Sequence, residues 1–284
     1  MLGAVSLSVL IPTLNEARNI GPCLESVRFS DDVVVVDSLS TDGTALEAKR
    51  RGAQVVEFRW DGGFPKKKSW ALENVDWKHD WLLVLDADER VPATLGAEML
   101  NVTRQNHHAA YLVGRRFYFM GRWIRHCGYY PSLNLRLFRR EGARYERLID
   151  LDTDSGDNEV HEHVLVNGSI GRVRGDLLHF AYPDISTWVE KHNRYSNWEA
   201  AVEVEGRRDV LPAGSLGRRR RLREWARRAP LRPSLRFAYS YIWRGGFLDG
   251  YPGFALCRLL ASYELLCVLK ARERRAQRRL DSSA

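Results

Sequence analysis

The sequence predicts an α/β fold with a mostly parallel sheet flanked by helices, followed by a helical, basic C-terminal extension. Two runs, residues 33–36 and 81–85, are continuously apolar instead of alternating. That pattern is typical of strands buried on both faces, as in parallel sheets. Stretches of helical length separate the predicted strands, and strands that alternate with helices form βαβ units.

The first hundred residues predict strands and helices in alternation. The first strand ends at Pro12, since proline cannot donate to a strand ladder. Ile20, Leu24 and Val27 then recur with helical spacing, and Gly52 marks the end of a second helix. In chain order the predicted elements are strand 6–12, helix 16–27, strand 32–37, helix 41–51, strand 53–58, helix 69–75, strand 81–85 and helix 93–104.

After residue 105 the pattern favours antiparallel strands at 110–119, 134–139 and 164–170, and then a helix over 185–205. We therefore predict a sheet domain over residues 1–206, with halves 1–105 and 106–206, and an extension over 207–284. Two helices are expected within residues 235–271, separated by the glycines between 245 and 253. Residues 254–269 are apolar but contain Arg258 and Glu264, so we expect them to be too short and too charged to span a membrane.

Charge is distributed unevenly along the chain. The net charge is +8, but residues from Arg207 onward contain 19 Lys and Arg against six Asp and Glu, which leaves an acidic body. A basic, aromatic-rich extension suits an anionic membrane surface. No folded nucleic-acid motif accompanies it, so we expect no nucleic-acid partner.

The spacing of the cysteines and the N-terminal sequence both indicate a cytoplasmic protein. Four cysteines stand far apart without metal-binding spacing, so neither a zinc site nor a disulfide framework is predicted. Residues 1–8 lack the charged region and cleavage site of a signal peptide. We therefore expect a cytoplasmic protein with reduced thiols.

Polar groups follow several of the predicted strands. Asp37 ends the second strand, Asp86 and Asp88 follow the fourth, and lysines 66–68 precede the fourth. The carboxyl ends of parallel strands meet at one edge of a sheet, where ligands bind. Two neighbouring carboxylates suit Mg²⁺ together with substrate phosphates. The sequence therefore predicts a site for a metal and a nucleotide diphosphate.

Three other enzyme classes are weighed against this site. A dinucleotide-binding site needs G-x-G-x-x-G after the first strand, and residues 12–17 contain no glycine. A nucleotidyltransferase acting on sugar phosphates normally has a glycine-rich, basic loop near the first strand, which is also missing, but this class stays as the alternative. A phosphatase of the haloacid-dehalogenase type would have its D-x-D on the first strand instead of the fourth.

Four motifs in order resemble the signatures of family 2 glycosyltransferases, which are inverting, metal-dependent enzymes with a GT-A fold. The likeness covers roughly residues 5–100. Within the family the chain is similar to the branch of bacterial lipopolysaccharide-core and cell-envelope sugar transferases. The motifs are residues 11–16 (IPTLNE), 34–44 (VVVDSLSTDGT), 63–72 (GFPKKKSWAL) and 83–90 (LVLDADER).

The resemblance implies a role for each matched residue. The implied cofactor is Mg²⁺ or Mn²⁺, held by the D-x-D motif, and the implied donor is a UDP- or GDP-sugar. The acceptor would be a lipid-linked or cell-envelope glycan, reached from the inner face of the plasma membrane. The implied residues are Pro12, Asn15 and Glu16 in the nucleotide pocket, Asp37 on the base or ribose, Asp86 and Asp88 at the metal, and Lys66 or Lys68 near the phosphates.

Inverting transfer also needs a base for the acceptor hydroxyl. Glu162, in the segment 160–163, is our candidate, since a similar acidic position follows the acceptor-binding region in the family. Asp157 is the alternative in the acidic loop before it. His161, His163 and His179 are candidates for a metal ligand or for orienting the base.

Overall fold

A computed structural model of the protein describes residues 7–62, 64–145, 164–205 and 231–281. Its contacts divide the chain into two units. Of the described residues, the first unit contains 7–118, 131–145 and 164–181, and the second contains 119–130, 182–205 and 231–281.

The first unit is built on one mixed sheet. Its strands follow the order β3-β2-β1-β4-β8-β6-β11-β5, and the two short strands β9 and β10 pair separately. In chain order the strands of the protein, of which β7 belongs to the second unit, are β1 Ser8–Thr13, β2 Asp32–Asp37, β3 Gln54–Glu57, β4 Trp81–Val84, β5 Glu89–Arg90, β6 Ala110–Phe119, β7 Arg122–Trp123, β8 Leu133–Arg139, β9 Arg144–Tyr145, β10 Val164–Leu165 and β11 Ile170–His179.

The strands of the N-terminal half are parallel, as predicted. β1 lies between β2 and β4 and is parallel to both, and β3 extends this run beside β2. β8 then enters antiparallel between β4 and β6. β11 is parallel to β6. β5 is the outermost strand on that side of the sheet and is antiparallel to β11. The predicted α/β fold with a mostly parallel sheet is therefore confirmed.

Two apolar cores cover the two faces of this sheet. Val9 and Val35 contribute to the core that also contains residues of the first and fourth helices. Leu10 and Val34 contribute to the opposite core. Neighbouring residues of one strand point to opposite faces, so a strand needs apolar residues at every position when both faces are covered. This accounts for the continuous apolar runs.

Helices flank the sheet and make up most of the second unit. Within the second unit, α7 packs against α5 and α6. A π-helical turn, Tyr239–Trp243, and a 3₁₀ turn, Gly246–Asp249, connect α6 to α7. The helices are α1 Ala17–Ser26, α2 Thr44–Arg50, α3 Lys67–Asn74, α4 Ala93–Gln105, α5 Ile185–Glu205, α6 Arg232–Ala238 and α7 Gly250–Asp281.

The last helix is longer than expected. We predicted an apolar segment over 254–269 that is too short to span a membrane, but α7 runs for 32 residues. The stretch Gly246–Asp281 is long and apolar enough to cross a membrane, judged by length and composition alone. The expectation about its length was therefore wrong, and the glycines at 250 and 253 lie in its first turn instead of before it.

Candidate active site

The ends of three parallel strands meet at one edge of the sheet. Thr13, the last residue of β1, lies opposite Asp37, the last residue of β2. On the other side of β1, the Leu85 N–H donates to the Leu10 carbonyl oxygen over 2.9 Å, which brings the end of β4 beside β1. Asp86 therefore follows β4 at the same edge at which β1 and β2 end.

The loops after β1 and β2 are joined by hydrogen bonds. Asn15 has a left-handed backbone, with φ of 56°. Its N–H donates to Ser40 Oγ over 2.8 Å, and its own Oδ1 accepts from the Thr41 N–H over 2.9 Å. The Glu16 N–H donates to Thr44 Oγ1 over 2.8 Å. The predicted pocket residues Asn15 and Glu16 thus belong to a fixed loop at the edge of the sheet.

Asp37 is the most enclosed of the predicted nucleotide contacts. It is 1% exposed. Its carboxylate accepts from Thr13 Oγ1 over 2.8 Å and from the Ser40 N–H over 2.7 Å. These bonds fix the turn after β2 to the end of β1, next to Pro12. A contact between Asp37 and a base or ribose stays a prediction.

The three lysines before β4 have different surroundings. Lys66 directly precedes α3, and Gly63 lies outside the described residues. Lys67 is buried, and its Nζ donates to the Thr13 carbonyl oxygen over 2.8 Å. Lys68 Nζ lies 3.5 Å from Asp86 Oδ1. Lys68 thus lies beside the acidic pair, and Lys67 connects α3 to the end of β1.

Asp86 is neutralised by cations from two directions. The Arg136 guanidinium on β8 donates to Asp86 Oδ2 and also to Glu89 Oε1, the latter over 2.9 Å. Burial acts to raise the pKa of the Asp86 carboxyl, but Arg136 and Lys68 hold it well below its usual value. Burial likewise opposes the charge on Arg136, yet Asp86 and Glu89 raise the pKa of the guanidinium. Asp86 is therefore ionised at neutral pH.

Glu89 and Arg136 are functional candidates that the sequence analysis did not single out. Glu89 is fully buried, and it accepts from the Asp86 N–H over 3.0 Å as well as from Arg136. Arg115 Nη1 on β6 lies 3.5 Å from Glu89 Oε1. One signal was available in the sequence: Arg136 interrupts the apolar strand 135–138, and a cation inside a buried strand needs an anionic partner.

Asp88 lies beside His179. β5 and β11 pair so that Glu89 is opposite His179, and the Phe180 N–H donates to the Asp88 carbonyl oxygen over 2.9 Å. This pairing leaves His179 Nε2 3.5 Å from Asp88 Oδ1. The pairing of β5 with β11 therefore brings together the Asp88 carboxylate and the His179 imidazole, which are 91 residues apart in sequence.

The donor set at Asp88 suits a divalent ion that also takes oxygens from a substrate. Among the described residues no group of three or more His, Cys, Asp and Glu side chains could hold a metal by itself. Mg²⁺ is usually held by one or two carboxylates together with substrate phosphates, so Asp88 with His179 beside it meets that requirement. Because Arg136 binds its carboxylate, Asp86 is less available than Asp88.

The remaining candidates for the catalytic base lie outside the described residues. Glu162 and Asp157 fall within residues 146–163, and so do His161 and His163, the two candidates for a metal ligand or for orienting the base. A cavity of about 270 Å³ lies away from the acidic pair, at the opposite end of β4, and its lining includes Asp80 and Arg140.

Comparison with known proteins identifies the family. The family described as "Glycosyl transferase family 2" matches residues 8–156. The lipopolysaccharide core biosynthesis glycosyltransferase LpsC of Rhizobium meliloti (strain 1021) is 30% identical over 288 residues, covering 97% of this chain and 95% of LpsC. An uncharacterized glycosyltransferase of Rickettsia bellii is 28% identical, covering 94% of this chain and 86% of that protein. Likeness to solved structures is weaker: S. aureus TarS 1–349 in complex with UDP has a TM-score of 0.44 and 16% identity, covering 94% of this chain and 89% of that chain. The chain is a glycosyltransferase and belongs to glycosyl transferase family 2.

Proposed function

We propose that this enzyme is a metal-dependent, inverting transferase that moves a sugar from a nucleotide-diphosphate sugar to a lipid-linked or cell-envelope glycan. The observation that carries the proposal is the arrangement at one edge of the sheet. Asp88 and His179 lie 3.5 Å apart there, and Arg136 and Lys68 flank the neighbouring Asp86. Carboxylate, imidazole and cations together suit a diphosphate and a divalent ion.

Each group of the site has a part in this proposal. Asp88 and His179 would hold Mg²⁺ or Mn²⁺, which stabilises the negative charge on the departing nucleoside diphosphate when it is bound. The loop of Asn15 and Glu16 binds the nucleotide. Lys68 adds positive charge near the phosphates, and this charge favours the transition state more than the ground state because charge develops on the leaving group.

The proposed acceptor class comes from the likeness to a relative. The relative LpsC is named for lipopolysaccharide core biosynthesis, and its likeness extends over almost the whole of both chains. We therefore propose a lipopolysaccharide core or a similar envelope glycan as the acceptor class, with transfer at the inner face of the plasma membrane. A nucleotidyltransferase, which can also use a carboxylate–Mg²⁺ site, stays as the alternative, but the loop after β1 is not glycine-rich.

A donor-panel assay tests the reaction class. Incubation with UDP- and GDP-sugars and Mn²⁺ should release the nucleoside diphosphate, at a low rate without acceptor and faster with lipopolysaccharide core acceptors. Release that persists undiminished in excess chelator would contradict metal dependence. Pyrophosphate formed from a sugar phosphate and a nucleoside triphosphate would instead support the nucleotidyltransferase.

We propose Glu162 as the base that takes the acceptor proton. The Glu162→Gln variant should bind the donor normally, but its turnover should fall about 10²–10⁴-fold because proton transfer contributes that much to such reactions. Donor affinity and single-turnover rates measure the two quantities separately. Asp157→Asn is the matched control and should keep most of the rate. The reverse result for the two variants would move the base to Asp157.

A further inference from the structure

The connection between α6 and α7 in the second unit exposes a cluster of large apolar side chains. We call it the aromatic tip. The exposed fraction of its members ranges from 47% for Tyr239 to 82% for Trp243. Its members are Tyr239, Ile242, Trp243, Phe247, Leu248 and Tyr251. Large exposed apolar side chains this closely spaced along the chain are candidates for an interaction surface.

The charged groups around the aromatic tip are cationic. Arg244 lies within the tip, and Arg122 Nη2 donates to the Leu248 carbonyl oxygen over 3.4 Å. The guanidinium of Arg125 lies 4.3 Å from the Trp123 ring centre. The acid nearest in sequence, Asp249, is 2% exposed and accepts from the His126 N–H over 2.8 Å. The surface of the tip therefore combines aromatic rings with arginines and shows no carboxylate among these described residues.

The rest of α7 is held against polar partners. Glu264 Oε2 accepts from Arg232 Nε over 2.7 Å. Lys270 Nζ donates to Asn193 Oδ1 and to Asn197 Oδ1 on α5, each over 2.6 Å. A helix whose charged residues bind a polar neighbouring helix is costly to place at the centre of a bilayer. The length of α7 thus does not by itself favour a membrane span.

We infer that the aromatic tip inserts into the headgroup region of an anionic lipid leaflet, while α5 and most of α7 stay in water. Tryptophan and tyrosine favour the membrane–water interface, and arginines beside an apolar face add attraction to anionic lipids. This goes beyond the proposed function because it assigns membrane binding to described residues 239–251 and not to the basic extension 207–284 as a whole. A negative result in the tests of Asp88 would not affect this inference, because the inference concerns a different part of the chain.

Vesicle binding of the full-length protein tests the inference. We compare sedimentation with vesicles of phosphatidylglycerol and phosphatidylcholine against vesicles of phosphatidylcholine alone. The triple variant Ile242→Ser, Trp243→Ser and Tyr251→Ser should lose roughly tenfold or more of its partition into the anionic vesicles, since binding scales with buried apolar area. The variant Arg244→Ser should weaken binding to the anionic vesicles only.

A matched triple variant serves as the control. Leu265, Leu269 and Leu280 are exposed on the same helix away from the tip, and changing them to serine should leave vesicle binding unchanged. An equal loss in both triple variants would overturn the inference in favour of a helix that lies along or across the membrane. Unchanged binding of the tip variant would also overturn it.

Two further measurements do not depend on a loss of binding. Brominated phospholipids should quench part of the tryptophan fluorescence, and this part should vanish in Trp243→Phe although eight other tryptophans remain of the nine. Light scattering in the absence of lipid should give the same mass for the wild type and the tip variant. A dimer that the tip variant dissociates would show that a second copy of the chain covers the tip, and would overturn the inference.

Discussion

The Asp88→Asn variant is expected to lose nearly all metal-stimulated transfer while keeping its fold. The substitution keeps the size of the side chain and removes the charge that a divalent ion requires. Because such an ion is worth several kcal/mol of transition-state stabilisation, turnover should fall roughly a thousandfold or more. The measurement is release of nucleoside diphosphate as a function of Mn²⁺ concentration.

Asp80→Asn is the matched control for this variant. Asp80 precedes β4, whereas Asp88 follows it. The control therefore makes the same change from aspartate to asparagine at the other end of the same strand. The control should retain wild-type turnover and the same dependence on Mn²⁺. Wild-type turnover in Asp88→Asn would remove Asp88 from the site, and equal losses in both variants would indicate a general effect of losing an acid near β4.

The Arg136→Leu variant should be the most destabilising single change at the site. Arg136 donates to Asp86 and to the fully buried Glu89. Removing one partner of a buried ion pair leaves an uncompensated charge, which costs about 3–5 kcal/mol in the free energy of unfolding. Denaturant unfolding measures this loss. Arg136→Lys keeps the positive charge but lacks the planar guanidinium that donates to both carboxylates. Its loss of stability should therefore be smaller than that of Arg136→Leu.

Arg139→Leu is the control on the same strand. The Arg139 guanidinium lies 5.7 Å from the Trp81 ring centre, and among the described residues it forms no ion pair with a carboxylate. It should lose much less stability than Arg136→Leu. Equal losses would mean that Arg136 contributes through packing alone and that the pairing with Asp86 and Glu89 has no special weight.

The ion pair between Arg136 and Asp86 should also affect how the free energy of unfolding depends on pH. The pKa of Asp86 lies well below its usual value in the folded protein, so its stabilisation is present above about pH 3.9, the pKa of an ordinary aspartate. It is lost as the pH falls through the lower pKa of the folded state. Burial raises the pKa of Asp86, and in Arg136→Leu the guanidinium that opposes this rise is missing. The difference in stability between wild type and variant should therefore shrink in acid.

The parallel half of the sheet was predictable because it depends on local patterns. Each strand of that half is a short apolar run, and the polar residues that follow a run necessarily lie at its carboxyl end. That reasoning was enough to expect Asp37, Asp86 and Asp88 near the end of β1, and the parallel pairing of β1 with β2 and β4 brings the three strand ends together.

The antiparallel insertion was not predictable in the same way. Nothing local in residues 133–139 specifies that this strand lies between β4 and β6, because strand order depends on contacts between distant segments. Arg136 therefore could not be assigned to Asp86 from the sequence. The pairing of His179 with Asp88 depends on a similar long-range register, between β5 and β11.

The insertion of β8 also has a consequence for synthesis of the chain. Arg136 follows Asp86 by 50 residues and Glu89 by 47. During translation Lys68 and Arg115, which lie 3.5 Å from Asp86 and Glu89 respectively, are made before Arg136. Until Arg136 follows, both acids lack the guanidinium that joins them, and burying them incompletely paired is unfavourable. We therefore expect the carboxylates after β4 to become fully buried only once β8 has been made.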